Sequence, residues 1–281
     1  MPRRNRPELE RRASRSRSVV SAKAKSQNRI GYALIAFFSI VIIGGAYFYI
    51  DTVMNKPVFD KITMCPVNKP PAEIISILID ASDKMSPVQV ASIRNEIDGY
   101  RNSLPRTGAM EIYTVGRTEK ASLQPLFKAC NPGSPEEFSA LTESIPRATR
   151  RWRDDFISPV DSALTKALPS SEQATSPIME SLQSVAVTAF GPADRKDITK
   201  RLIIVSDMMQ NSSKFSNYKS MDYESFRSAA GENLMTDLRG VEVQILYIRR
   251  HSKQGAKHIE FWQSYLAEQG ARLTRVFSVS G

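Results

Sequence analysis

Two spacings of apolar residues alternate along most of the chain. Residues 73–80, "EIISILID", form an unbroken apolar run that ends in an acid, the pattern of a strand covered on both faces. Similar runs follow in "AMEIYTV" (109–115), "ASLQPLFKAC" (121–130) and "RLIIVSD" (201–207), and again at 241–248 and 272–279. Between them the apolar residues step by three and four. Val88, Val90, Ile93, Ile97 and Tyr100 mark a helix over 87–103, and Trp152, Phe156, Val160, Ala163, Leu164 and Ala167 mark another over 150–168. Helices are also expected at 222–238 and 256–269. "SPEEFSALTESI" (134–145) places Glu137 three residues after Ser134, a capping-box pattern. "SPIMESLQSVAVTAF" (176–190) opens with Ser176 as N-cap and Pro177 at the first helical position. Strands alternating with helices predict an α/β fold: a Rossmann-like, mostly parallel central sheet with helices on both faces, in one domain over 72–281.

One segment has neither spacing. Residues 30–50, "IGYALIAFFSIVIIGGAYFYI", contain no charge over 21 residues. As a helix they would extend roughly 30 Å, the thickness of a bilayer core. Tyr47, Phe48 and Tyr49 stand at one end, where aromatic belts form. A cleaved signal peptide would have a shorter apolar region and a small-residue cleavage site, which "YFYIDTVMNK" does not offer. A transmembrane helix is therefore expected, followed by a proline-bearing linker over 51–71.

Charge fixes the orientation. The net charge of +10 is concentrated in residues 1–29, which hold ten Lys or Arg and two Glu. This Arg- and Ser-rich tail cannot bury enough apolar surface to fold alone. Just beyond the span, Asp51 and Asp60 balance Lys56 and Lys61. The positive-inside rule places the tail in the cytoplasm and residues 51–281 outside it, as in a single-pass protein of a bacterial inner membrane facing the periplasm. The tail's basic residues would each gain on the order of 1 kcal/mol beside anionic lipid. The remaining chain is nearly neutral, so its composition gives no sign of a nucleic-acid surface on the domain. Cys65 and Cys130 both fall in the outer part. An even count in an oxidising compartment suggests a disulfide, with two unpaired thiols as the alternative.

Ligands of open α/β sheets bind beyond the carboxyl ends of the strands. Two of the expected strands end there in aspartate, Asp80 and Asp207, and Thr175 and Ser176 stand at the start of a helix. If those strands are neighbours, carboxylates and hydroxyls meet at one rim, a hard-oxygen set suited to Mg²⁺ or Mn²⁺. At these residues the chain resembles the von Willebrand factor A domain family, whose metal-ion-dependent adhesion site carries Asp-x-Ser-x-Ser after the first strand, a Thr at a later loop-to-helix junction and an Asp after a central strand. "DASDK" supplies Asp80 and Ser82, "SPIMESL" puts Ser176 in the Thr place, and "LIIVSDM" supplies Asp207. The resemblance covers most of 73–281 and implies Asp80, Ser82, Ser176 and Asp207 as metal ligands and a protein partner at the Asp80/Asp207 rim. One position departs from the family: Lys84 stands where the signature has its second Ser. Its ammonium would repel a divalent cation or pair with Asp80 or Asp207, unless it points away and Asp83 contributes an oxygen. By itself Asp83 reads as a turn residue.

Enzymatic signatures are few. His251 and His258 lie late in the chain beside "RRHSKQ", as in a solvated loop and helix start. No G-x-S-x-G, P-loop or H-E-x-x-H occurs. An extracytoplasmic phosphoesterase using Asp80 as nucleophile is the alternative, but the acid usually found two residues on is Ser82 here. The expected function is therefore a membrane-anchored protein-binding module of an envelope assembly, with no small-molecule substrate and no catalytic residue.

Overall fold

The computed structural model describes residues 31–51, 54, 58–116, 122–138, 144–168 and 173–279. It divides into two units, 1–56 and 57–281. In the first, Gly31–Asp51 is a single helix (α1), long and apolar enough to cross a membrane. Its side chains, among them Ile35, Phe37, Ile42 and Ile43, are exposed.

The second unit is built on a six-stranded sheet of order β3-β2-β1-β4-β5-β6. The strands are β1 Glu73–Ile79, β2 Ala109–Thr114, β3 Phe127–Cys130, β4 Thr199–Ser206, β5 Val241–Ile248 and β6 Arg272–Val279. All neighbours pair in parallel except β2 and β3, which are antiparallel. β1 shows why the expected pattern is unbroken rather than alternating. Ile74 and Leu78 point into one apolar cluster, and Ile75, Ile77 and Ile79 into the other. The first cluster is covered by α5 (Ile178–Val185), α6 (Tyr223–Leu234) and α7 (Ala256–Glu268), through residues such as Leu182, Phe226 and Trp262. The second is covered by α2 (Pro87–Ser103) and α4 (Ser158–Ala167), through Ile93, Ile97, Val160 and Leu164. Each such side chain, fully buried, contributes about 1.5–3 kcal/mol.

Local chemistry sets the helix ends. Ser86 caps α2 in a capping box with Gln89, their side chains bonding each other's backbone N–H at 3.2 and 2.9 Å. The Asp222 carboxylate accepts the Ser225 N–H at 2.8 Å to start α6. α7 stops at Gly270, whose φ of 78° is a left-handed conformation that glycine adopts without steric cost.

Several elements differ from expectation. Among the described residues of the strand expected over 121–130, which begin at 122, only Phe127–Cys130 is strand, since Pro125 has no N–H to give a ladder. The helix expected from Ser134 is a single 3-10 turn, Pro135–Glu137, closed by the Ser134 N–H donating to Glu137 at 2.8 Å. Phe138 after it is extended, and 139–143 lie outside the described residues. The helix expected at 150–168 begins earlier, as α3 (Ile145–Trp152), and reaches α4 through a wider π turn at Arg153–Ile157. Pro159 lies just beyond that turn, where a missing N–H leaves a carbonyl without its usual partner. α6 ends at Leu234, four residues short of expectation, with Met235 extended. Part of the stretch read as linker is fastened to the sheet. Phe59 bridges Pro66, the Cys130 N–H donates to Thr63 O at 2.8 Å, and Cys65 and Cys130 form a disulfide.

Candidate functional site

The sheet register places the two aspartates. β1 and β4 are central neighbours, with Ile79 opposite Val205. Asp80 and Asp207 follow directly at their carboxyl ends, where the chain leaves in opposite directions to β2 and to β5. This is the crevice in which doubly wound sheets bind ligands. Both carboxylates are buried, each residue being 4% exposed.

Asp80 is the hub. Its Oδ1 accepts the Ser82 N–H at 3.0 Å, and its Oδ2 accepts the hydroxyls of Ser176 and Ser206, each at 2.9 Å. Ser176 is therefore not the N-cap of its helix. α5 begins at Ile178 with Pro177 as the cap residue, and the Ser176 hydroxyl turns to Asp80 instead. Ser176 is anchored by two backbone bonds with Asn211, both 2.9 Å, which tie the start of α5 to the loop after β4. The Gln210 side chain reinforces that tie. Its Oε1 accepts the Met179 N–H at 2.9 Å, and its Nε2 donates to Glu180 at 3.0 Å.

Asp207 has a different environment. Its Oδ1 accepts the Met209 N–H at 2.9 Å, while its Oδ2 is buried with no hydrogen-bond partner. Burial pushes its pKa up and the Asp80 charge adds to this, against the Met209 N–H; the result is about 7. The next residue, Met208, adopts φ 62°, unusual for a side chain of its size. Three contacts hold it there: its N–H donates to Ser206 Oγ at 2.7 Å, and its carbonyl meets the Trp262 N–H at 2.8 Å and His258 Nε2 at 3.1 Å. His258 is thus not part of a solvated helix start. It is fully buried, 2.7 Å from the Tyr247 hydroxyl, and burial pushes its pKa below the usual value.

The loop after β5 supplies the residues that sequence spacing missed. Arg250 pairs with Asp83 at 3.1 Å, and its own pKa is lowered by burial against the pull of the Asp80 charge. His251 Nε2 lies 3.9 Å from Asp207 Oδ2 and 3.3 Å from the Tyr218 hydroxyl. Gln254, 2% exposed, accepts the backbone N–H of Arg250 and His251 and donates to Asp207 O at 2.8 Å. One buried amide therefore joins the β5 loop to the β4 end. Lys84 is exposed, and it makes no hydrogen bond to Asp207 Oδ2. A cavity of about 120 Å³ opens between these elements, lined by Ser82, Asp83, Ser176, Asp207, Asn211 and Tyr218 among others.

Asp80, Ser82, Ser176 and Asp207 are thus brought together, and Ser206, Asp83, Tyr218 and His251 join them. Ser206 was visible in "IVSD" only as the residue before an acid. Asp83 sits in the bend after β1, where it pairs with Arg250 and lies near Asp207. Phe156 and Trp262 are core residues and Trp152 is partly buried.

No protein-family model matches the chain, and no curated protein matches it in sequence. Among solved structures, it is similar to proximal thread matrix protein 1 from the mussel byssus, at 11% identity and a TM-score of 0.41, over 75% of this chain and 42% of that one. The same mussel protein also appears in a structure described as having a zinc-occupied MIDAS motif. The VWA domain of SpRpn10 matches at 14% identity and a TM-score of 0.37, over 74% of this chain and 90% of that one. An aerotolerance-related membrane protein from Bacteroides fragilis matches at 11% identity and a TM-score of 0.35, over 74% and 92%.

Proposed function

We propose that this chain is a membrane-anchored binding module of the von Willebrand A type that docks a protein partner, with the help of a divalent cation, at the rim formed by Asp80 and Asp207. The observation that carries this is the unpartnered oxygen of buried Asp207, a residue that feels the charge of a second carboxylate and lines a small polar cavity at the switch point of the sheet. A buried carboxylate with a bare oxygen is costly unless a cation or a proton satisfies it. The residues fit a hard cation. Asp207 offers an oxygen, and Ser82 and Ser176 line the same cavity. Because the Ser176 hydroxyl gives its proton to Asp80, its lone pairs are left for a cation. Mg²⁺ or Mn²⁺ bound there would supply a positive centre for an oxygen ligand from the partner.

The chain's own part is to pre-form the rim. Asp80 fixes two hydroxyls and the Ser82 backbone, and the Ser176–Asn211 bridge and Gln210 keep α5 against the loop after β4. Helix α1 would hold the module to the membrane, with the basic tail in the cytoplasm and residues 58–279 outside it.

A thermal melt of the full chain in detergent micelles tests the cation's part. Mg²⁺ or Mn²⁺ at a hundredfold excess over its dissociation constant is expected to raise stability by about 2.7 kcal/mol. Chelator should reverse the rise, and Asp207→Asn should abolish it. A melting temperature indifferent to both ions would overturn the cation-dependent form of the proposal.

A further inference from the structure

The oxygen ligands taken from sequence do not account for the whole rim. Asp80 already accepts three hydrogen bonds, whereas the Asp207 oxygen that accepts none lies 3.9 Å from His251 Nε2. Asp83, Asp207 and His251 each offer one donor atom, and the three atoms lie within 4.8 Å of one another. Ligands held about 2.1 Å from a common ion sit roughly 3 to 4 Å apart, so small side-chain rotations close this group around one centre. The adjoining cavity of about 120 Å³ leaves room for water in the remaining coordination positions, at roughly 30 Å³ each.

The surroundings resemble a prepared metal site more than a chance meeting of surface charges. Arg250 steadies the Asp83 carboxylate, and the Met209 N–H occupies Asp207 Oδ1 so that Oδ2 is the one presented. Gln254 binds the backbones of both His251 and Asp207, which fixes the distance between the two. The His251 ring stands edge-on to Tyr218, 5.4 Å between centroids. Such supports are what orient metal ligands and tune their affinity.

From this arrangement we propose that Asp83, Asp207 and His251 form a site for a borderline transition ion, Zn²⁺ in the first instance, that Mg²⁺ fills poorly. Two carboxylates with an imidazole suit Zn²⁺ and Co²⁺, while Mg²⁺ favours oxygen alone. The site deepens the proposed function, because it rests on the same rim and shares Asp207, but its selectivity comes from a residue outside the family signature. Zinc at this place would also present the cation beside the cavity that Tyr218 and Asn211 line.

Titration calorimetry of the full chain in detergent micelles, with Zn²⁺ and Mg²⁺ separately, tests it. Co²⁺ is added as a spectroscopic probe of nitrogen coordination. The background is low, since the chain has two histidines, the other of which is buried, and both cysteines are in the disulfide. One Zn²⁺ is expected to bind at least tenfold more tightly than Mg²⁺. His251→Gln should weaken Zn²⁺ by about tenfold or more and alter the Co²⁺ spectrum, while Mg²⁺ changes little. Asp83→Asn should weaken Zn²⁺ in the same direction, and an unchanged melting temperature in either variant would show that folding is intact. Zinc binding indifferent to His251, or Mg²⁺ binding as tightly as Zn²⁺, would overturn the proposal. If Mg²⁺ binds through Ser82 and Ser176 and zinc ignores His251, the oxygen site stands and the histidine site falls. If zinc binds through His251 and Mg²⁺ does not bind, the histidine site stands and the oxygen site falls.

Discussion

Replacing Asp80 with alanine is expected to destabilise the folded unit by about 3 kcal/mol, more than any other single change at the rim. The carboxylate is buried and accepts three hydrogen bonds from Ser82, Ser176 and Ser206. Its loss leaves a buried backbone N–H and two hydroxyls without their acceptor, at roughly 1–3 kcal/mol for each donor that water cannot reach. Some of that is recovered, because hydroxyls rotate and the Ser206 oxygen still accepts the Met208 N–H. For a domain of this size the melting temperature should fall by roughly 6–12 °C. Asp80→Asn should cost less, since one amide oxygen still accepts. Asp83→Ala serves as the comparison: Asp83 is only partly buried and its ion pair with Arg250 reaches solvent, so about 1 kcal/mol or less is expected. If Asp80→Ala and Asp83→Ala melt alike, Asp80 is not the hub described above.

Breaking the Cys65–Cys130 bond is expected to cost about 4 kcal/mol on the chain-entropy model, the two cysteines being 65 residues apart. The bond also has a local task. Residues 58–68 are held against β3 by the disulfide and by the Cys130 N–H to Thr63 bond, and β3 is a short edge strand. Reduction should therefore expose the 58–68 segment to protease before the rest of the sheet opens. Melting of the full chain with and without reductant, alongside the Cys65→Ser, Cys130→Ser double variant, measures the effect. Reductant should lower the melting temperature of the native chain and leave the double variant unchanged. A fall of less than about 1 kcal/mol in the native chain would show that the unfolded state is already constrained.

The sheet was legible because both its faces are covered. Runs such as "IISILI" and "LIIV" can be satisfied only by a strand between two helical layers, and their terminal aspartates mark where the chain returns to solvent. That these two strands are neighbours was only a condition in the sequence; the β1–β4 pairing meets it and brings Asp80 and Asp207 together. What spacing misjudged were elements whose ends depend on partners far away in sequence. Ser176 has the local signature of an N-cap, but a buried carboxylate 96 residues earlier takes its hydroxyl. His258 reads as polar and solvated, yet the carbonyl of Met208 and the Tyr247 hydroxyl receive it in the core. His251 and Arg250 lie in a loop with no periodicity, and only the Gln254 amide, bonded across to Asp207, reveals why that loop approaches the rim. Lys84, which the signature places at the rim, is exposed, and a second basic residue that lies outside the signature, Arg250, pairs with Asp83.

The docking surface is tested most directly by photocrosslinking in intact membranes. Benzoylphenylalanine replaces Tyr218, an exposed residue that lines the cavity, or Val187, an exposed residue near the starts of β4 and β5 at the other end of the sheet. Discrete protein adducts are expected from position 218 and not from position 187, and Asp207→Ala should remove them. Adducts of equal yield from both positions, or adducts at 218 that persist without Asp207, would contradict a partner docked at the Asp80/Asp207 rim.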